Sequence, residues 1–189
     1  MISNTGYWNI TGTEFTKEHI YDSRLSDAIV ALAKSKSVKR TYDFGSGHGE
    51  YTASFIAANI NCIGFDGNPI TSTIPNCKVQ DLTDSKWQIE PVDFLLCLEV
   101  CEHVPKEYES ALIDSIVRHL NNAGTVILSW AIPGQGGLGH VNCQSNDYVI
   151  KLFQKRGFTY NKEESDFLRK NSVEPWFSNT ILVFKRGLN

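Results

Sequence analysis

Apolar positions along the chain switch between two spacings, and the switches divide it into elements. From Thr16 to about Ser35 the residues Ile20, Leu25, Ile29, Val30 and Leu32 recur at helical spacing with Lys and Asp between them, which predicts an amphipathic helix. Arg40–Phe44 reads as a short buried strand, and Gly45-Ser46-Gly47-His48-Gly49 turns it into a helix from about Glu50 to Ala58. Strands follow over Cys62–Asp66, Lys78–Gln80 and Val92–Leu98; the last is apolar along nearly its whole length, so it should be buried on both faces. A helix from about Lys106 to Leu120 carries Tyr108, Leu112, Ile113, Ile116 and Val117 on one side, and Asn121–Gly124 reads as the turn after it. Thr125–Trp130 is a fifth strand. Ser145–Lys155 reads as a helix, Phe158–Asn161 as a strand, Lys162–Lys170 as a short helical piece and Asn179–Lys185 as the last strand.

Repeated strand-helix units predict an α/β fold, a parallel sheet covered by helices through right-handed crossovers. The 189 residues, 41% hydrophobic and 21% charged, suit one domain (39–189) preceded by an arm and helix (1–38), in which Tyr7 and Trp8 either close over the site as a lid or pack on the first helix. A net charge of −3 gives no chain-wide basic excess for nucleic acid, so the expected partner is a small molecule. Five cysteines without a C-x-x-C pair, and no basic-then-apolar start, predict a reduced, cytoplasmic protein. No apolar run approaches the ~18 residues that span a bilayer, so no membrane partner is expected.

The chemistry-bearing motifs stand at predicted strand ends. Asp43-Phe44-Gly45-Ser46-Gly47-His48-Gly49 has glycines at alternate positions, which lets backbone amides approach a ligand. The leading Asp43 would repel a pyrophosphate, so the ligand there should be uncharged or cationic. Asp66 ends the second strand, where a carboxylate can accept bonds from both ribose hydroxyls, and Asp81-Leu82 ends the third. A dinucleotide dehydrogenase would share Asp66, but Asp43 and the lack of a second binding half argue against it.

Together these motifs resemble the class I S-adenosylmethionine-dependent methyltransferases, over roughly Arg40–Phe184. The resemblance implies a Rossmann-like, doubly wound, seven-stranded, mostly parallel sheet with an antiparallel last strand and helices on both faces. It also implies S-adenosylmethionine as cofactor. Asp43, Gly45 and Gly47 would lie against its methionine part, Asp66 would hold the ribose, Gly67 and Asn68 would flank the adenine, and Asp81 with Leu82 would meet the adenine edge.

After the fourth strand comes Glu99-Val100-Cys101-Glu102-His103, at the carboxyl end where ligands of α/β sheets bind. It is similar to the E-V-x-E-H segment of ubiquinone-pathway O-methyltransferases and small-RNA 2′-O-methyltransferases. That resemblance implies a divalent metal ion on Glu99, Glu102, His103 and a later histidine, for which His140 is available; such a mixed O/N set suits several divalent ions. The ion would lower the pKa of an acceptor hydroxyl. Without it, His103 or His140 could act as general base. Purely structural roles are the third reading: Glu99 orienting the cofactor amino group, Glu102 capping a helix, His103 packed. Residues 129–142 are similar to a W-A-x-P-G-Q-G-G-x-G-H-V-N string of small methyltransferases from bacterial surface-polysaccharide clusters and large DNA viruses, and Gln135, His140 and Asn142 offer polar groups to an acceptor. His19 and His119 read as solvated residues on helix faces. The expected activity is O-methylation of a small hydrophilic acceptor, a sugar or phosphorylated metabolite. RNA 2′-O-methylation and a non-catalytic cofactor-binding partner protein are the alternatives.

Overall fold

In the computed structural model, which describes residues 2–9 and 19–188, seven strands form one sheet. They are β1 (Arg40–Phe44), β2 (Asn61–Asp66), β3 (Cys77–Val79), β4 (Val92–Cys97), β5 (Leu120–Leu128), β6 (Phe158–Tyr160) and β7 (Leu182–Arg186), in the order β3-β2-β1-β4-β5-β7-β6. The first five run parallel, and β7 inserts antiparallel between β5 and β6. The helices are α1 (Ser23–Ser35), α2 (Glu50–Ala57), α3 (Glu109–Arg118), α4 (Asn146–Gln154), α5 (Lys162–Asn171) and the single turn α6 (Phe177–Thr180). This is the doubly wound sheet with an antiparallel closing strand that the sequence predicts.

The two-faced burial of β4 follows from its composition. Phe94 and Leu96 point into a core completed by Leu25, Ile29 and Leu32 of α1, Phe55 of α2 and Leu168 of α5. Leu95 and Cys97 point the other way, against Leu112, Ile113 and Ile116 of α3 and Val149 and Phe153 of α4. After the exposed Asp93, an apolar residue at every position from Phe94 to Cys97 satisfies both layers, as period-two geometry requires. Capping side chains set three helix starts: Asp22 accepts from the Leu25 amide, Ser145 from Tyr148 and Asn161 from Glu164. The other Asp22 oxygen accepts from Ser172 Oγ and from the amides of Val173 and Glu174, tying α1 to a distant loop.

Several expected boundaries are corrected. The first helix begins at Ser23, because Asp22 caps it; Thr16–Glu18 lie outside the described residues, and His19–Asp22 are not helical. The helix expected over Lys106–Leu120 divides into a 3-10 turn (Lys106–Tyr108) and α3. The turn expected at Asn121–Gly124 is absorbed into β5, which runs back to Leu120 with a register shift against β4 and a left-handed Ala123, and which stops at Leu128. Asn179 lies in α6 rather than in the last strand. His119 is not solvated: it is fully buried, its ring 4.3 Å from that of Trp87. His19 lies outside any helix, its ring between those of Trp8 and His48. Among the described residues no helix is long and apolar enough to cross a membrane.

Candidate functional site

The chain leaves β1 toward β2 on one side and β4 toward β5 on the other, so a crevice opens where these two neighbouring strands end. Gly45, at φ 78°, lets the loops that follow them meet: a Cβ there would lie 2.1 Å from Val100 Cγ2. Gly45, Asp66, Gly67, Asn68, Asp81, Leu82, Glu99 and His103 all contribute to the wall of the cleft.

Three of the predicted acids converge here with different environments. Asp66 accepts from the amides of Gly47 (3.1 Å) and Asn68 (2.8 Å). Burial pushes its pKa up, opposed by those two bonds and by the nearby His19. Asp81 accepts from the amide and hydroxyl of Thr83 through one oxygen and from Thr5 Oγ1 (2.8 Å) through the other. Asp43 is deeper, at the edge of a smaller adjoining cavity that Gly47 and Glu99 also line, and accepts from Thr52 Oγ1 at 2.8 Å. Burial raises its pKa to about 7, with Thr52 opposing and Asp66 adding to the rise. A cation beside it would restore its full charge.

The N-terminal arm roofs this cleft. Residues 2–8 fold back on themselves through Ser3 N–H to Tyr7 O (2.8 Å), Gly6 N–H to Ser3 O (3.2 Å) and a bridge between Ile2 and Trp8. Tyr7 lies over Gly67, and Trp8 stands edge-on to both His19 and His103, with ring centroids 5.3 and 5.2 Å away. Gly6, at φ 99°, passes so close to His103 that a Cβ would lie 2.3 Å from its carbonyl oxygen. The sequence marks Tyr7 and Trp8 as lid candidates, but nothing in it singles out Thr5 or His19.

Beyond the β4 end, Glu102, His103 and His140 bring one ligand atom each within 4.8 Å of one another. The two imidazoles stand edge-on, with ring centroids 5.0 Å apart, and are anchored in the same way. His103 Nδ1 meets Gly139 O and His140 Nδ1 meets Gln135 O, each at 3.2 Å. A carbonyl only accepts, so each Nδ1 carries the proton and each Nε2 keeps its lone pair. Burial, then the neighbouring His140, lowers the His103 pKa to about 4, so the ring is neutral near pH 7. Glu102 is fully buried, and neither carboxylate oxygen makes a well-formed hydrogen bond with a described residue. Its own amide and that of Ala131 lie close enough to favour the ion slightly, yet burial and then the Glu99 charge hold its pKa well above the ordinary carboxylate range.

Glu99 stands apart from this trio. Its amide donates to Ser129 Oγ, and that hydroxyl donates back to Oε1, both at 2.7 Å. This clamp holds Glu99 in the left-handed region at φ 54°, a conformation that costs on the order of 1–3 kcal/mol and clusters at functional sites. Asn142 is also placed differently from expectation. It is 4% exposed and directs its side-chain amide into the protein toward Glu109, so it is not offered to an acceptor.

Residues 18–163 match the family described as a methyltransferase domain (Methyltransf_23). No curated protein sequence matches the chain. Among solved structures it is similar to magnesium protoporphyrin IX methyltransferase (ChlM) from Synechocystis PCC 6803 with bound SAM, at 18% identity and a TM-score of 0.70, over 99% of each chain. It is also similar to the 1,6-didemethyltoxoflavin-N1-methyltransferase of Burkholderia thailandensis, at 13% identity and TM-score 0.64, over 93% of this chain and 82% of that one. The methyltransferase domain of bacterial CtHen1-C aligns at 16% identity and TM-score 0.62, over 87% of this chain and 98% of that one. At these identities what is shared is the fold.

Proposed function

The chain belongs to the methyltransferase-domain family, and from that premise we propose that it transfers a methyl group from S-adenosylmethionine to an oxygen of a small hydrophilic acceptor, a sugar or phosphorylated metabolite, with a divalent cation held by Glu102, His103 and His140. The observation that carries the reading is the buried, unpaired Glu102 carboxylate beside two imidazoles whose Nε2 lone pairs are left open. A buried carboxyl group without a partner is costly, and a cation is the partner that it and two imidazole nitrogens jointly select.

The cofactor, when bound, supplies a sulfonium-activated methyl group. The chain's part is to hold it. Asp66 and Asp81 present acceptors at the ends of β2 and β3, suited to ribose hydroxyls and the adenine amine, with Gly67, Asn68 and Leu82 beside them. Asp43, Gly45, Gly47 and Glu99 line the cavity toward the other end, where the buried Asp43 and the clamped Glu99 favour a cationic ligand. The arm 2–8 acts as the lid that excludes water.

The cation, when bound, supplies a Lewis acid that lowers the pKa of an acceptor hydroxyl. Glu102 contributes negative charge, and His103 and His140 hold Nε2 in place through the Gly139 and Gln135 carbonyls. A second reading keeps the same tautomers: without metal, either Nε2 lone pair takes the hydroxyl proton as general base.

Calorimetry separates the two subsites. Wild type should bind S-adenosylhomocysteine and, independently, Mn²⁺. Asp66→Ala should lose S-adenosylhomocysteine affinity at least a hundredfold, whereas His140→Ala should keep it and lose Mn²⁺. Equal loss of the nucleoside in both variants would overturn the division. Full turnover of an identified acceptor in EDTA would replace the cation by the histidine base.

A further inference from the structure

His140 reaches the site on a loop with no regular structure of its own, whereas Glu102 and His103 leave the end of a buried strand. The loop surface is open: Leu138 and Val141, on either side of His140, are 55% and 63% exposed. The Gln135 carbonyl orients the ring within the loop, so what places the loop itself against Glu102 and His103 must come from outside it. We propose that Asn142 and Glu109 are positioning residues for His140, fixing it opposite Glu102 and His103 through a buried hydrogen-bond network behind the cleft.

The network is continuous from the ligand trio to two helices. Immediately after His140, the amides of Val141 and Asn142 both donate to the carbonyl of Glu102, at 2.9 and 3.0 Å, so the loop is clamped to the backbone of another member of the trio. Asn142 secures that clamp with each of its remaining groups. Its carbonyl accepts from Trp130 Nε1 (2.6 Å), its Oδ1 from Gln144 Nε2 (2.7 Å), and its Nδ2 donates to Glu109 Oε2 (3.0 Å). Glu109, at the first turn of α3 and 5% exposed, also accepts from Lys106 Nζ (2.8 Å) and from Tyr148 Oη of α4 (2.5 Å). None of these six side chains lines the cleft. Charge-assisted bonds in a buried setting are short and directional, which suits them to holding a main-chain segment in one position. A loop residue that must stay within coordination distance gains from such support, because small displacements of a ligand atom weaken binding steeply.

This inference rests on the cation reading of the trio, and its test reads His140 in two ways. The first is Mn²⁺ affinity by calorimetry, with S-adenosylhomocysteine affinity measured alongside. The second is the Cε1–H signal of His140 in metal-free protein labelled at histidine Cε1. Asn142→Ala should weaken Mn²⁺ binding at least tenfold, leave S-adenosylhomocysteine binding within twofold, and shift or broaden the His140 signal while that of His48 stays in place. If Asn142→Ala does not fold, the isosteric Glu109→Gln carries the test, with Mn²⁺ binding three- to tenfold weaker and the same NMR change at smaller amplitude. Wild-type Mn²⁺ affinity and an unmoved His140 signal in a folded variant would overturn the assignment. Absence of Mn²⁺ binding in wild type would instead sink the cation reading, and the His140 signal alone would then decide whether the network positions this ring.

Discussion

At the scale of single residues, Glu102 strands both of its carboxylate oxygens in the interior. Its side chain is sealed from solvent, without a hydrogen-bonding partner among the described residues, and its carboxyl is pushed toward the neutral form. Such a group lowers the stability of the empty fold and is retained where binding needs it. Glu102→Met keeps the length of the side chain and removes the stranded polar atoms. The variant is expected to raise the stability of the metal-free protein by roughly 1–3 kcal/mol, the usual cost of an unsatisfied buried polar group, while Mn²⁺ binding disappears. A thermal melt and a titration on one sample check both halves. A melting temperature below that of wild type would show that Glu102 is a stabilising core residue instead.

At the scale of elements, the arm and the strand-end loops form the site jointly. The folded-back segment 2–8 meets Asp81 through Thr5, Gly67 through Tyr7, and His103 through Gly6 and Trp8. It therefore touches both the side of the cleft proposed for the nucleoside and the side proposed for the cation. Most of that contact is ring surface, and indole burial is worth more than a single hydrogen bond. Trp8→Ala should leave the sheet intact, weaken S-adenosylhomocysteine about tenfold, and do so mainly by faster release, since the roof is lost while the carboxylate contacts remain. Stopped-flow displacement measures the release rate directly. An unchanged release rate would mean that the arm is packing material and not a lid.

At the scale of the whole molecule, the buried His119 adds to the acid sensitivity of the fold. His119 closes α3 and packs its ring against Trp87 and Phe44, with no exposed surface. Burial, and next the charge of Arg118, lowers its pKa from 6.5 to about 4. Between those values the unfolded chain takes up a proton that the folded chain refuses. Stability from this group is therefore full above about pH 6.5 and falls as the pH drops toward 4. His119→Phe keeps an aromatic ring there and removes the titration. Urea midpoints at pH 7 and pH 5 should show a smaller loss in the variant than in wild type. Equal losses would place the acid sensitivity elsewhere.

Periodicity and punctuation were enough to read seven strands, the helices between them, the glycine turn after Phe44 and the acids at Asp43, Asp66 and Asp81, because these depend on residues close together in the chain. The same holds for the proximity of Glu102 and His103. What depended on distant segments was not legible. Whether Glu99 joins the trio is decided by Ser129, thirty residues away, which holds it elsewhere. Asn142 faces inward because Glu109 waits on another helix, and Thr5 reaches Asp81 only because the arm folds across the sheet. His119 looks like a surface residue at a helix end until Trp87 covers it. A local pattern determines which element a residue joins and whether its neighbours suit a ligand. The direction of a side chain leaving a loop is set by whichever remote group can satisfy it, and that choice exists only once the sheet has brought those groups together.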